Sequence, residues 1–301
     1  MGGFSSLFYC MKKILVATAL ISLIAACGRF KNKSKDGDSE RIVCLSKQLT
    51  EYAFALGQGH KLVGVDLSST YPDSAKLLKT VGYHRALNAE GIISLNPDLV
   101  IHSNDIGPEG IIPQLEKAGL NIKVFGGANT IDSSKLLLKE MGAYFKVPAK
   151  ADSLIKIMEA DLAKADSIRA ASKFKDTPSV MIIHFGRASN IYFVMSGRKG
   201  PGDLYIQLTG AKVTGYDAKG ARQISGEAVA AANPDIIIAT DFGFDQQGSI
   251  DKFIEQVPGV ALTNAGKNKR IIRFEEHDLV YFGPRSGKNI LKLMELIHGQ
   301  K

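Results

Sequence analysis

Two acidic residues sit in matching surroundings. Glu90 opens a stretch that runs through Asn96-Pro97-Asp98-Leu99-Val100-Ile101 to Asp105; Glu227 opens one that runs through Asn233-Pro234-Asp235-Ile236-Ile237-Ile238 to Asp241. Each glutamate precedes its proline by seven residues, and the copies lie 137 positions apart. An acid in a first helical turn complements the helix dipole, which accounts for one such glutamate but not for a recurring spacing. Duplication of a whole structural unit accounts for both. The motifs of several hydrolytic and phosphate chemistries are missing: there is no Gly-x-Ser-x-Gly and no His-Glu-x-x-His. Gly283-Pro284-Arg285-Ser286-Gly287-Lys288 is one residue short of a phosphate loop and carries a proline.

Each copy reads as a short helix, a proline stop and a buried apolar strand. A period this long is too wide for a solenoid and implies two similar lobes. Around the copies, apolar runs alternate with helical stretches, which predicts an α/β fold. In the first lobe, strands are expected at 41–45, 61–65, 99–101 and 122–125, with helices at 48–56 and 110–118. In the second, strands are expected at 180–183, 236–239 and 270–274, with helices at 205–208, 227–232 and 287–298. Between them Leu154, Ile155, Met158, Leu162, Ala165 and Ile168 recur at helical spacing in a stretch without Gly or Pro, Ala149 to Ala171. The expected architecture is two Rossmann-like lobes joined by one long helix, with a ligand cleft between them. The lobes span 41–146 and 177–301, with the linking helix in 147–176.

The amino-terminal end reads as an export signal. Met11-Lys12-Lys13 is a positive n-region, and Ile14 to Ile24 is an apolar core too short to span a bilayer. Residues 1–10 raise the alternative that Met11 is the initiator. Residues 28–40 are polar and charged, and read as a flexible tether. The formal charge of +8 falls to +6 when Lys12 and Lys13 leave with the signal. The remaining basic charge is scattered, and no nucleic-acid-binding motif accompanies it. Of the three cysteines, Cys10 leaves with the signal, and Cys44 within Ile42-Val43-Cys44-Leu45 reads as a small buried hydrophobe. No disulfide within one mature chain is expected. His60, His102, His277 and His298 read as surface or loop histidines.

Ile24-Ala25-Ala26-Cys27 resembles the lipobox of bacterial lipoproteins, which implies a diacylated Cys27 on the periplasmic side of a membrane. The chain as a whole, from Arg41 to His298, resembles the substrate-binding proteins of ABC importers that serve cobalamin, ferric siderophores and haem. Val81-Gly82-Tyr83-His84-Arg85-Ala86-Leu87-Asn88-Ala89-Glu90-Gly91-Ile92 is similar to a segment of the haem binders. So are Ser69-Thr70-Tyr71-Pro72, Val194-Met195-Ser196-Gly197 and Phe282-Gly283-Pro284-Arg285.

That resemblance implies a monomeric carrier, not an enzyme. It would take haem b (haemin) as transported ligand, without a catalytic cofactor, and have an ABC permease and its ATPase as partners. It makes Tyr83 the iron ligand. A phenolate is a hard donor matched to ferric iron, and tyrosine is a known haem ligand. Arg85, and after it Lys47, would hold propionate through charge-assisted hydrogen bonds. His184 is the candidate second axial ligand, although Phe185 separates it from Gly186 where some relatives have the histidine directly before a glycine. Tyr71, Phe185 and Met195 would line the porphyrin pocket. Glu90 and Glu227 would dock against permease arginines. Cobalamin or a siderophore remains the alternative cargo, and a chelatase-like tetrapyrrole enzyme the alternative class.

Overall fold

Strand β1 (Ile42–Cys44) is apolar throughout and completely buried. Such a run must be covered on both faces, and it lies inside a parallel sheet. The computed structural model describes residues 40–171, 177–186, 190–197, 199–215 and 222–299. The export signal, Cys27 and the tether apart from Glu40 lie outside them. From Glu40 onward the chain is one compact unit.

Its first half follows β1 with α1 (Lys47–Ala55), β2 (Leu62–Val65), β3 (Lys79–Thr80), a small hairpin of β4 (Gly82–Tyr83) and β5 (Ala86–Leu87), α2 (Ala89–Ile93), β6 (Leu99–His102), α3 (Ile111–Lys117), β7 (Asn121–Val124) and α4 (Ile131–Tyr144). The sheet order is β3-β2-β1-β6-β7, all parallel. Helix α5 (Pro148–Ala171) leads to the second half.

There β8 (Ser179–Gly186), β9 (Ile191–Val194), α6 (Pro201–Leu208), β10 (Lys212–Val213), β11 (Arg222–Gln223), α7 (Gly226–Ala232), β12 (Ile236–Thr240), α8 (Asp241–Gln247), α9 (Ile250–Gln256), α10 (Asn264–Lys267), β13 (Ile271–Phe274) and α11 (Ser286–His298) follow. The second sheet runs β11-β9-β8-β12-β13, with β10 beside β8. Its β9 is antiparallel to β8 and β11.

The duplicated motif has a local physical cause. Asn96 and Asn233 both take positive φ, 45° and 39°, the left-handed geometry that ends a helix and that Asn tolerates. The proline that follows forbids continuation. The aspartate then clips the start of the half's first strand. Asp98 Oδ2 accepts the Arg41 N–H at 2.9 Å, and Asp235 Oδ2 accepts the Ser179 N–H at 2.9 Å. In return Arg41 and Ser179 carbonyls accept the N–H of Asp98 and Asp235, at 2.8 and 3.0 Å. Each motif thereby delivers an inner strand, β6 or β12, into register beside β1 or β8.

Helix α5 is shared. Its Ala151, Ile155 and Met158 belong to the first half's core with Leu49, Tyr52 and Phe125. Its Ala165 belongs to the second, with Tyr205, Phe274 and Phe282, and Leu162 packs against both. Helix α11 crosses α5 closely at Gly287, where a Cβ would sit 2.6 Å from that of Asp161.

Two differences from expectation are informative. Strand β8 continues past Ile183 to Gly186, because β9 folds back and pairs with it. Helix α4 was not expected. Its capping box uses Ser133 rather than Glu or Gln at the third position, and Gly142 interrupts its interior.

Candidate ligand-binding site

The carboxyl edges of the two sheets meet, and polar side chains concentrate there. This is where open α/β sheets bind ligands. Three clusters can be distinguished.

The first surrounds the β4–β5 hairpin beyond the end of β2. Tyr83 projects from it, 39% exposed. Among the described residues nothing hydrogen-bonds its phenol. Its backbone neighbours are fixed: the Gly82 carbonyl accepts the Leu67 N–H at 2.8 Å, and the His84 carbonyl accepts the Gly107 N–H at 2.8 Å. Gly107 must be glycine-sized, since a Cβ there would lie 2.9 Å from the Arg85 carbonyl oxygen. The His84 ring lies 4.3 Å from that of Tyr83, tilted by 59°. Its Nδ1 is 3.3 Å from Asp66 Oδ2 and its Nε2 is 3.6 Å from Asp105 Oδ2. Asp66 is fully buried and also accepts the Ser69 hydroxyl at 2.5 Å, the Ser68 hydroxyl and the Ser68 N–H. Burial alone would raise the Asp66 carboxyl, but His84 and the two serines outweigh it and hold it below the usual carboxylate range. Arg85 is exposed, its Nη2 3.9 Å from Asp105 Oδ2.

The second cluster joins the halves through charge. Lys47, in the first turn of α1, donates to Glu276 Oε1 at 2.7 Å. His184, near the end of β8, has its Nδ1 3.2 Å from Thr240 Oγ1 and interacts electrostatically with Glu276. Lys47 and His184 are therefore brought to one carboxylate.

The third cluster is buried. Glu51, one turn along α1 from Lys47, is only 3% exposed. Its carboxylate meets His277 Nε2 at 2.9 Å, accepts the Tyr281 hydroxyl at 3.2 Å and accepts Arg285 Nε–H at 2.8 Å. Arg285 also donates to Asp278 at 2.5 Å, and its guanidinium lies 3.6 Å over the Tyr71 ring. Burial would push the Glu51 carboxyl up; His277 and Arg285 bring it below its ordinary value. Tyr281 is driven well above its ordinary value, first by burial and then by the charges of Glu51 and Asp278. On the same helical face, the Tyr52 hydroxyl and Gln48 Nε2 donate to the Phe282 carbonyl at 2.8 and 3.4 Å.

The remaining sequence candidates are dispersed. Tyr71 belongs to the third cluster. Phe185 is buried in ring contact with Tyr192 and Phe242. Met195 packs against the second half's core. Glu90 and Glu227 are exposed in the first turns of α2 and α7, capped by Asn88 and Ser225. Cys44 is fully buried, its thiol pushed up to about 12 by that burial. The reading of His277 and His102 as surface or loop residues is corrected. They are 6% and 5% exposed, and His102 ends β6. The buried cluster around Glu51 escaped sequence reading; its signal was polar Lys47, Gln48 and Glu51 on a helix whose Leu49, Tyr52 and Ala53 are core. No cluster of three or more metal-ligating side chains that could by themselves hold a metal ion occurs among the described residues.

A parallel sheet and a mixed sheet joined by a helix, with side chains at their carboxyl edges paired through Lys47 and Glu276, form the α/β architecture of a solute-binding protein. The chain belongs to the periplasmic binding protein family, which it matches over residues 42–277. The solved structure of the periplasmic heme-binding protein RhuT from Roseiflexus sp. RS-1, in apo form, superposes with a TM-score of 0.78 at 32% identity, covering 87% of this chain and 99% of that one. The Bacillus subtilis (strain 168) protein YvrC, named an uncharacterized ABC transporter substrate-binding lipoprotein, is 30% identical over 263 residues, 87% of this chain and 81% of YvrC. The vitamin B12-binding protein of Vibrio campbellii (strain ATCC BAA-1116) is 23% identical over 225 residues, 75% of this chain and 79% of that one.

Proposed function

We propose that this protein is the haem-binding lipoprotein of an ABC importer. Residues 41–146 and 177–301 act as its two lobes, and Cys27 anchors it by lipid at the periplasmic face of a membrane. The observation that carries the reading is Tyr83: an open phenol on a hairpin fixed at both flanking residues, at the carboxyl edge of a sheet. A phenolate binds ferric iron at the expense of its proton, so capture is favoured where iron is oxidised. Arg85 is exposed two residues away and carries the propionate role; Lys47 already pairs with Glu276. His184 is the proposed opposing ligand. The likeness to RhuT, at higher identity and coverage than the vitamin B12-binding protein, favours haem over cobalamin.

Titration of the mature protein with haemin should give a shifted Soret band. Tyr83→Ala should change that band and weaken binding by more than the roughly 10–100-fold that loss of an outer-shell partner costs a metal site. A variant that binds and absorbs like wild type refutes the ligand role. Glu90 and Glu227 are the proposed permease contacts. Their double replacement by alanine should leave the titration unchanged and abolish growth on haemin as sole iron source; undiminished growth removes that role.

A further inference from the structure

A tyrosine that ligates iron from an exposed hairpin needs its ring held, because a free side chain loses rotamer entropy on binding and tolerates misplacement. Backbone pinning at Gly82 and His84 fixes where the Tyr83 Cα sits but not where its phenol points. The only ring contact found for Tyr83 among the described residues is with the His84 imidazole, at 4.3 Å. That imidazole is itself immobilised between a buried carboxylate, Asp66, and an exposed one, Asp105. Asp66 in turn is fixed by Ser68 and Ser69, and the Ser69 hydroxyl is 2.9 Å from that of Thr50 in α1. A continuous chain of contacts thus runs from a core helix through Asp66 and His84 to the Tyr83 ring.

We infer that Asp66 and His84 are positioning residues for the Tyr83 phenol, orienting it for the iron of a bound haem without touching the metal. This rests on the reading of Tyr83 as ligand. A mutation at His84 should therefore alter the electronic environment of bound iron as well as affinity, since outer-shell partners set ligand orientation.

The test compares haemin titrations and visible spectra of His84→Phe, His84→Gln and Asp66→Asn with wild type and Tyr83→Ala. His84→Phe keeps a ring beside Tyr83 but has no nitrogen for Asp66. It should weaken haemin binding by about 10–100-fold and shift the spectrum of the haemin still bound. His84→Gln can still donate to Asp66 but has no ring to lie against Tyr83, so it should show both defects as well. Asp66→Asn keeps the shape of the buried residue and should reproduce the His84→Phe defect, which guards against a single misfolded variant. Wild-type affinity and absorption in His84→Phe or Asp66→Asn, alongside loss of binding in Tyr83→Ala, overturns the inference and leaves the ligand reading intact. Wild-type affinity and absorption in His84→Gln also overturns it. Wild-type binding by Tyr83→Ala removes the ligand reading itself.

Discussion

The molecule builds a tyrosine, a histidine and a carboxylate into one contact group twice, with opposite results. In the buried cluster, Tyr281 is 5% exposed and its hydroxyl is consumed by Glu51 and His277. In the hairpin, Tyr83 is 39% exposed, and the carboxylate Asp66 engages the histidine but not the phenol. The first group spans more than two hundred residues and ties the halves together; the second is built almost entirely from residues 66–107. The difference teaches what makes a phenol available. It is not the presence of polar neighbours but which member of the group they saturate. When the carboxylate takes the tyrosine as well as the histidine, burial and negative charge keep the proton on and the group is structural. When the carboxylate takes the histidine alone, the ring is steadied and the oxygen stays open.

The contrast can be broken most forcefully at Glu51. Glu51→Ala would leave His277 and Arg285 with a buried gap between them, and loss of one partner from a buried ionic group costs about 3–5 kcal/mol. Denaturant melts should show that loss; a change below about 1 kcal/mol would mean that the buried cluster does not hold the halves. Tyr281→Phe removes one buried hydroxyl from two partners and should cost about 1–3 kcal/mol by the same measurement. Tyr83→Phe, the same deletion at an exposed site, should lie within about 0.5 kcal/mol of wild type. Equal costs for the two tyrosines would erase the distinction drawn between the clusters.

Much of the frame was legible before the structure. The paired Asn-Pro-Asp segments predicted inner strands because helix stop, proline and strand follow from local backbone chemistry, and α5 was legible from an uninterrupted helical period. Cys44 was read correctly as buried because it sits in an apolar run. The buried cluster was not legible. Glu51 and its partners His277, Tyr281 and Arg285 are 226–234 residues apart. Nothing local distinguishes a histidine that will be enclosed from one that will face water. Helix α4 was missed because its serines and glycine depress helix propensity, and packing of Leu137, Leu138 and Met141 into the first core overrides it. Tyr83 was singled out through family resemblance; its hairpin and the hold of Asp66 on His84 became visible only in three dimensions.

Helix α5 gives its first turns to one apolar interior and its last turns to the other, with Leu162 touching both. Neither half can come apart while the other keeps its full complement of contacts. Heat should therefore dissolve the whole body in a single step, with no surviving half left behind.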